Sequence, residues 1–92
     1  MVASDADDAF DRLDPGDVLV VAMTTTAYNP VLVLCGALVV EEAGPLSHAG
    51  VMARELGLPA VLGAAGAMAT IPDGAIVEVD PTLGSVRVLE RP

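Results

Sequence analysis

Residues 42–63 read EAGPLSHAGVMARELGLPAVLG. Gly44, Pro45 and Ser47 stand just ahead of His48, the only histidine in the chain. A helical run follows the histidine. Gly57 can end it in the left-handed C-terminal conformation, and Pro59 comes two residues later. Residues 60–62 then read as a short apolar strand. This places an imidazole at a helix N-terminus, where unpaired amides and the positive end of the helix dipole can hold an anion.

Phosphoryl chemistry at histidine needs a neutral ring nitrogen, an approach path and a sink for negative charge. A free imidazole titrates near ~6.5 and is largely neutral at cytosolic pH. Gly44 lets the main chain come close to a phosphate, and Ser47 offers a hydroxyl at the start of the helix. At roughly 100° per residue, Val51, Met52 and Glu55 fall within about 60° of the His48 direction, whereas Arg54 points away. A lone histidine in a small domain is more often structural. It is the arrangement around His48 that turns the reading toward chemistry.

Outward from this stretch the chain alternates apolar runs with turns. Residues 1–14 are rich in Ala and Asp and read as an acidic linker, a frayed helix or a solvated tail, and deleting residues 1–9 should leave stability nearly unchanged. Pro15, Gly16 and Asp17 make a turn, and residues 18–22 form a buried strand. A threonine among residues 24–26 can cap a short helix with Pro30 in its first turn. Cys35 reads as a packed side chain rather than a reactive thiol. Residues 37–41 are a second buried strand, residues 63–69 a loop or short helix, and residues 75–79 and 85–89 a C-terminal hairpin with its turn at 80–84.

The motif as a whole resembles the phosphohistidine signature of the phosphoenolpyruvate-utilising enzymes, such as pyruvate phosphate dikinase, phosphoenolpyruvate synthase and rifampicin phosphotransferase. That signature runs roughly Gly-Gly-x-x-Ser/Thr/Cys-His, then a helix with Ala-Arg, then Gly-x-Pro-Ala-Val. Here Gly44, Ser47-His48, Ala53-Arg54 and Gly57-Leu58-Pro59-Ala60-Val61 carry it, and the likeness runs from about residue 15 to residue 89. Ala43 replaces the first glycine, and Leu46 stands where several members have threonine. The resemblance implies a swivelling β/β/α domain of the α/β class, with a small mixed sheet, short helices and a C-terminal β-hairpin over residues 15–92. It implies that His48 is the phosphorylated residue, with Gly44 and Ser47 in the phosphate loop. The hydroxyls of Thr24 and Thr25 either help form the rim of that site or only cap the helix. Arg54 either neutralises phosphate or braces the loop or an interface, and its direction favours bracing.

Composition bounds what else the chain does. Ninety-two residues make one small domain. The net charge of −9 opposes nucleic acid and anionic membrane, and six of the thirteen acids lie in residues 1–17. One tyrosine, one phenylalanine and no tryptophan provide no stacking platform for single strands. A single cysteine and no apparent signal peptide suit the cytoplasm, and no apolar stretch is long enough to span a bilayer. There is no lysine, no phosphate-binding Gly-rich loop and no acid–histidine cluster suited to a metal. The domain by itself is expected to hold no cofactor. By resemblance, ATP with Mg²⁺ or phosphoenolpyruvate is bound by partner domains, an ATP-grasp domain and in some members a phosphoenolpyruvate/pyruvate barrel. The expected function is phosphoryl carriage on His48 between such sites. The alternative is a degenerate module that keeps the fold and serves only domain–domain contact, for which Ala43 and Leu46 are the support.

Overall fold

The computed structural model describes residues 1–44 and 46–92, so Pro45, just ahead of Ser47 and His48, lies outside the described residues. In chain order the elements are α1 (Ala6–Arg12), β1 (Val18–Val21), a 3₁₀ turn (Thr26–Tyr28), α2 (Asn29–Leu32), β2 (Ala37–Val40), α3 (His48–Leu56), β3 (Ala60–Leu62), α4 (Ala67–Thr70), β4 (Ile76–Asp80) and β5 (Ser85–Glu90).

The strands β1, β2 and β3 form a parallel sheet with β2 in the middle. All four residues of β2 are buried, as expected where a parallel strand is covered on both faces and reads as a continuous apolar run. Leu19, Val21, Leu38 and Val40 point to one face, where Val31, Leu32, Tyr28 and Ala49 pack on them. Val20 and Val39 point to the other, against Ala67, Ile71 and the half-buried Val77, Val79, Val86 and Val88. The sheet therefore lies between a helical layer and a layer made of the β4–β5 hairpin with α4. Parallel and antiparallel pairing both occur, but in two separate sheets, because the hairpin packs on the face of the parallel sheet instead of extending its edge.

The strands lie within a residue or two of their expected positions. The short helix expected around Pro30 is α2, which ends at Leu32, and turn residues carry the chain from there to β2. Cys35 is buried within this turn, and burial pushes its thiol up, as suits a packed side chain.

The expectation of a solvated tail at residues 1–14 does not describe the conformation seen here. Val2 bridges to Val20 of β1, the Ala3 amide donates to the Val20 carbonyl, and the Val20 amide donates to the Met1 carbonyl. Ala3 and Ala9 are buried in the core. Arg12 donates to both Asp8 and Asp73, fastening α1 to the far end of the chain. The segment's charges lie outward and its alanines inward, a division that composition alone conceals. Among the described residues, no helix is long and apolar enough to cross a membrane.

Candidate functional site

His48 is the first residue of α3. Its place follows from two local signals. Ser47 is extended and its Oγ accepts from the Gly50 amide at 3.2 Å, so the helix starts at the histidine. Gly57 takes φ 64° and its amide donates to the carbonyls of Ala53 and Arg54, so the helix ends where expected. The same Ser47 hydroxyl donates to the Gly44 carbonyl at 2.7 Å, tying the loop to the cap. Among the described residues, the amides of His48 and Ala49 have no hydrogen-bond partner, which leaves two donors at this helix end.

The site lies beyond the carboxyl ends of β1 and β2, the edge at which open α/β sheets bind ligands. The chain leaving β1 delivers Thr24, and its Oγ1 lies 2.8 Å from His48 Nδ1. Thr24 is only 7% exposed, so Nδ1 faces the protein interior. His48 Nε2 lies 2.9 Å from Oδ1 of Asn29, the first residue of α2. Both His48 and Asn29 are partly buried, in contrast to buried Thr24 on the Nδ1 side. Each ring nitrogen thus has one polar partner, from a different segment.

Of the residues singled out by sequence, Thr24, Ser47 and Gly44 gather around His48, directly or through the cap. Thr25 does not. Its side chain accepts from the Ala27 amide and caps the 3₁₀ turn, which is the capping alternative. Arg54 lies in the last turn of α3 and borders a surface depression with Gly50, Ala53, Leu58 and Pro81, away from the imidazole. At Gly44 φ is not in the left-handed region, and a Cβ there would meet no described atom within 4 Å, so neither backbone angle nor packing requires glycine at this position.

Sequence reading missed Asn29. The available signal was a carboxamide directly before Pro30 at the start of the short helix, but nothing local aims it at a histidine nineteen positions away. Among the described residues, no group of three or more His, Cys, Asp or Glu is placed to hold a metal ion.

Residues 13–84 match the sequence profile of the PEP-utilising enzyme mobile domain. The chain is 43% identical over 83 residues to an uncharacterised protein of Mycobacterium tuberculosis, covering 90% of this chain and 10% of that one. It is 40% identical over 85 residues to phosphoenolpyruvate synthase of Aeropyrum pernix, covering 92% of this chain and 10% of that enzyme. It is 43% identical over 78 residues to rifampicin phosphotransferase of Bacillus cereus, covering 85% and 9%. The chain therefore spans about a tenth of the length of these curated relatives. It belongs to the family of PEP-utilising enzyme mobile domains.

Proposed function

We propose that this mobile domain carries a phosphoryl group on His48 Nε2 between a donor site and an acceptor site on other domains. Family membership and the kinship with phosphoenolpyruvate synthase and rifampicin phosphotransferase support a phosphoryl carrier in general. The observation that carries the finer reading is the imidazole at the start of α3, with Nδ1 bonded to buried Thr24 and Nε2 to the partly buried Asn29.

In the reactive form Nδ1 keeps its proton and donates to Thr24 Oγ1, and the lone pair is on Nε2. That lone pair attacks the donor's phosphorus. An N–P bond forms as the bond from phosphorus to the donor's bridging oxygen breaks, and the oxygen leaves with the electron pair. The ring then carries a positive charge through Nδ1–H, which Thr24 accepts. The phosphoryl oxygens lie near the free first-turn amides of α3 and the uncrowded main chain at Gly44. In the second half-reaction an acceptor nucleophile attacks phosphorus, the N–P bond breaks, and the electron pair returns to Nε2. The donor is a nucleotide with Mg²⁺ on an ATP-grasp domain, or phosphoenolpyruvate on a barrel domain. Such domains accord with the much greater length of the relatives.

Incubation with these partner domains and ATP with Mg²⁺, or with phosphoenolpyruvate, should give a base-stable, acid-labile adduct of one phosphate. His48→Ala should not label. Equal labelling of His48→Ala and the parent would overturn the assignment. Leu46 is 88% exposed beside the site and would equally suit a module used only for contact. That second reading expects binding to the partner domains with no label on the parent.

A further inference from the structure

We infer that Asn29 sets the tautomer of His48, holding the proton on Nε2 at rest, and that its carboxamide must turn over before Nε2 can accept a phosphoryl group. The inference rests on the carrier reading of His48, but its first test does not require phosphorylation.

A neutral imidazole has one N–H and one lone pair, and here each nitrogen has one partner. A hydroxyl can donate or accept, so Thr24 follows whatever the ring does. A carboxamide oxygen can only accept. With Asn29 Oδ1 at 2.9 Å, Nε2 is the protonated nitrogen, and Thr24 Oγ1–H donates to Nδ1. This arrangement is well satisfied and unreactive at Nε2, because the nucleophilic pair points at the buried threonine. Rotating the carboxamide by half a turn presents Nδ2–H to Nε2 instead. The ring proton then belongs on Nδ1, with Thr24 accepting, and the lone pair faces outward. After transfer the same Nδ2–H can donate to a phosphoryl oxygen, whereas Oδ1 would repel it. Asn29 is partly buried at the first position of α2, whereas Thr24 is buried.

His48 is the only histidine, so long-range ¹H–¹⁵N NMR on the uniformly labelled chain reports its tautomer without ambiguity. The parent should show Nε2 protonated and Nδ1 bare. Asn29→Asp presents only acceptors and should keep the proton on Nε2. Asn29→Ala removes the clamp and should move the ring toward the mixed tautomers of free imidazole.

Potassium phosphoramidate then serves as a donor that needs no partner domain. The N–P bond to His48 forms as the P–NH₂ bond breaks and ammonia leaves. Labelling of Asn29→Asp should fall about ten-fold or more below the parent and below Asn29→Ala, which has no acceptor to hold the proton, as expected when a charged hydrogen bond holds the wrong proton. A bare Nε2 in the parent, or one tautomer shared by all three proteins, overturns the inference. So does Asn29→Asp labelling at the parental rate, or labelling lost without a protonated Nε2, which would be charge repulsion alone. If the tautomers behave as stated but partner domains never label His48, the carrier reading fails and the Asn29 assignment stands.

Discussion

At the amino ends of β1 and β2 the chain closes on itself. The Gly36 amide donates to the Asp17 carbonyl at 2.8 Å, and the Gly16 amide donates to the Leu34 carbonyl at 2.9 Å. A Cβ added to Gly36 would stand 2.5 Å from the Gly16 carbonyl oxygen. At the carboxyl ends of the same strands, a Cβ on Gly44 would meet no described atom within 4 Å. One glycine is there because backbone meets backbone. The other borders open space beside the only histidine. The closed end fixes where the β1–β2 crossover re-enters the sheet, and the open end leaves an approach for something larger than a side chain.

Gly36→Ala tests the closed end and carries the largest expected effect on stability. Nothing flexible is in the way that could yield, because the obstruction is a carbonyl held by its own neighbours. Forcing the methyl in should cost about 1–3 kcal/mol. For a domain of this size that is a fall in Tm of roughly 5–20 °C. An unchanged melting curve would show that the turn at residues 14–17 moves aside freely, and the contrast between the two ends would lose its meaning.

The amino-terminal segment belongs with the closed end, and its removal should have the next largest effect. Deleting residues 1–9 uncovers the edge of β1 at Val20 and removes the buried Ala3 and Ala9. The net loss should be on the order of 1–2 kcal/mol, since the ordering of the segment offsets part of its burial, or roughly 5–10 °C in Tm. Acid should loosen the same clasp. The Val2 amide and then Arg12 hold the Asp73 carboxyl below its usual range, and a hydrogen bond from Arg12 takes Asp8 from 3.8 to about 2. Both are depressed in the folded state, so the stability they add is present above the unfolded value and lost as pH falls through the folded one. NMR signals of Val2 and Asp8 should therefore shift between pH 4 and pH 2, ahead of the core.

What was legible in the sequence was what is local. The apolar runs gave the strands, Ser47 and Gly57 gave both ends of α3, and the turn at residues 80–84 gave the hairpin. Each needs only neighbours a few positions away. The histidine was legible because its cap, loop and stop signals are contiguous with it. The remainder depended on contacts across the fold. Arg12 meets Asp73 sixty-one positions on, so the acidic segment read as a tail. Thr24 and Thr25 look alike in sequence, and only the path out of β1 decides that one faces the ring while the other caps a turn. Asn29 reaches Nε2 because the chain leaving β1 and the chain leaving β2 meet beyond the same edge of the sheet.

Ser47→Ala moves the comparison to the open end, with a smaller effect. The hydroxyl makes two bonds there, accepting from the Gly50 amide and donating to the Gly44 carbonyl. Losing the cap should lower stability by about 1 kcal/mol. The loop would then be less firmly held against the helix, so labelling of His48 should slow without stopping. Denaturant melts and labelling time courses on one preparation separate the two. A stability loss as large as that of Gly36→Ala would mean the open end is a structural joint after all.

The smallest expected effect on stability, and the sharpest test of the open end, is at Gly44. Its backbone does not need the left-handed region, and no described atom waits for a side chain. Gly44→Ala should therefore fold as the parent does, or gain up to about 1 kcal/mol from a less flexible unfolded chain. Gly44→Val should likewise leave a folded domain. If the space beside Gly44 is there for a phosphoryl group approaching the main chain, the two variants part from the parent in chemistry alone. Labelling of His48 should slow in Gly44→Ala and be lost in Gly44→Val, with both melting curves in place. Full labelling of Gly44→Val would mean that phosphate reaches Nε2 without using this loop, and the open end would then need another explanation.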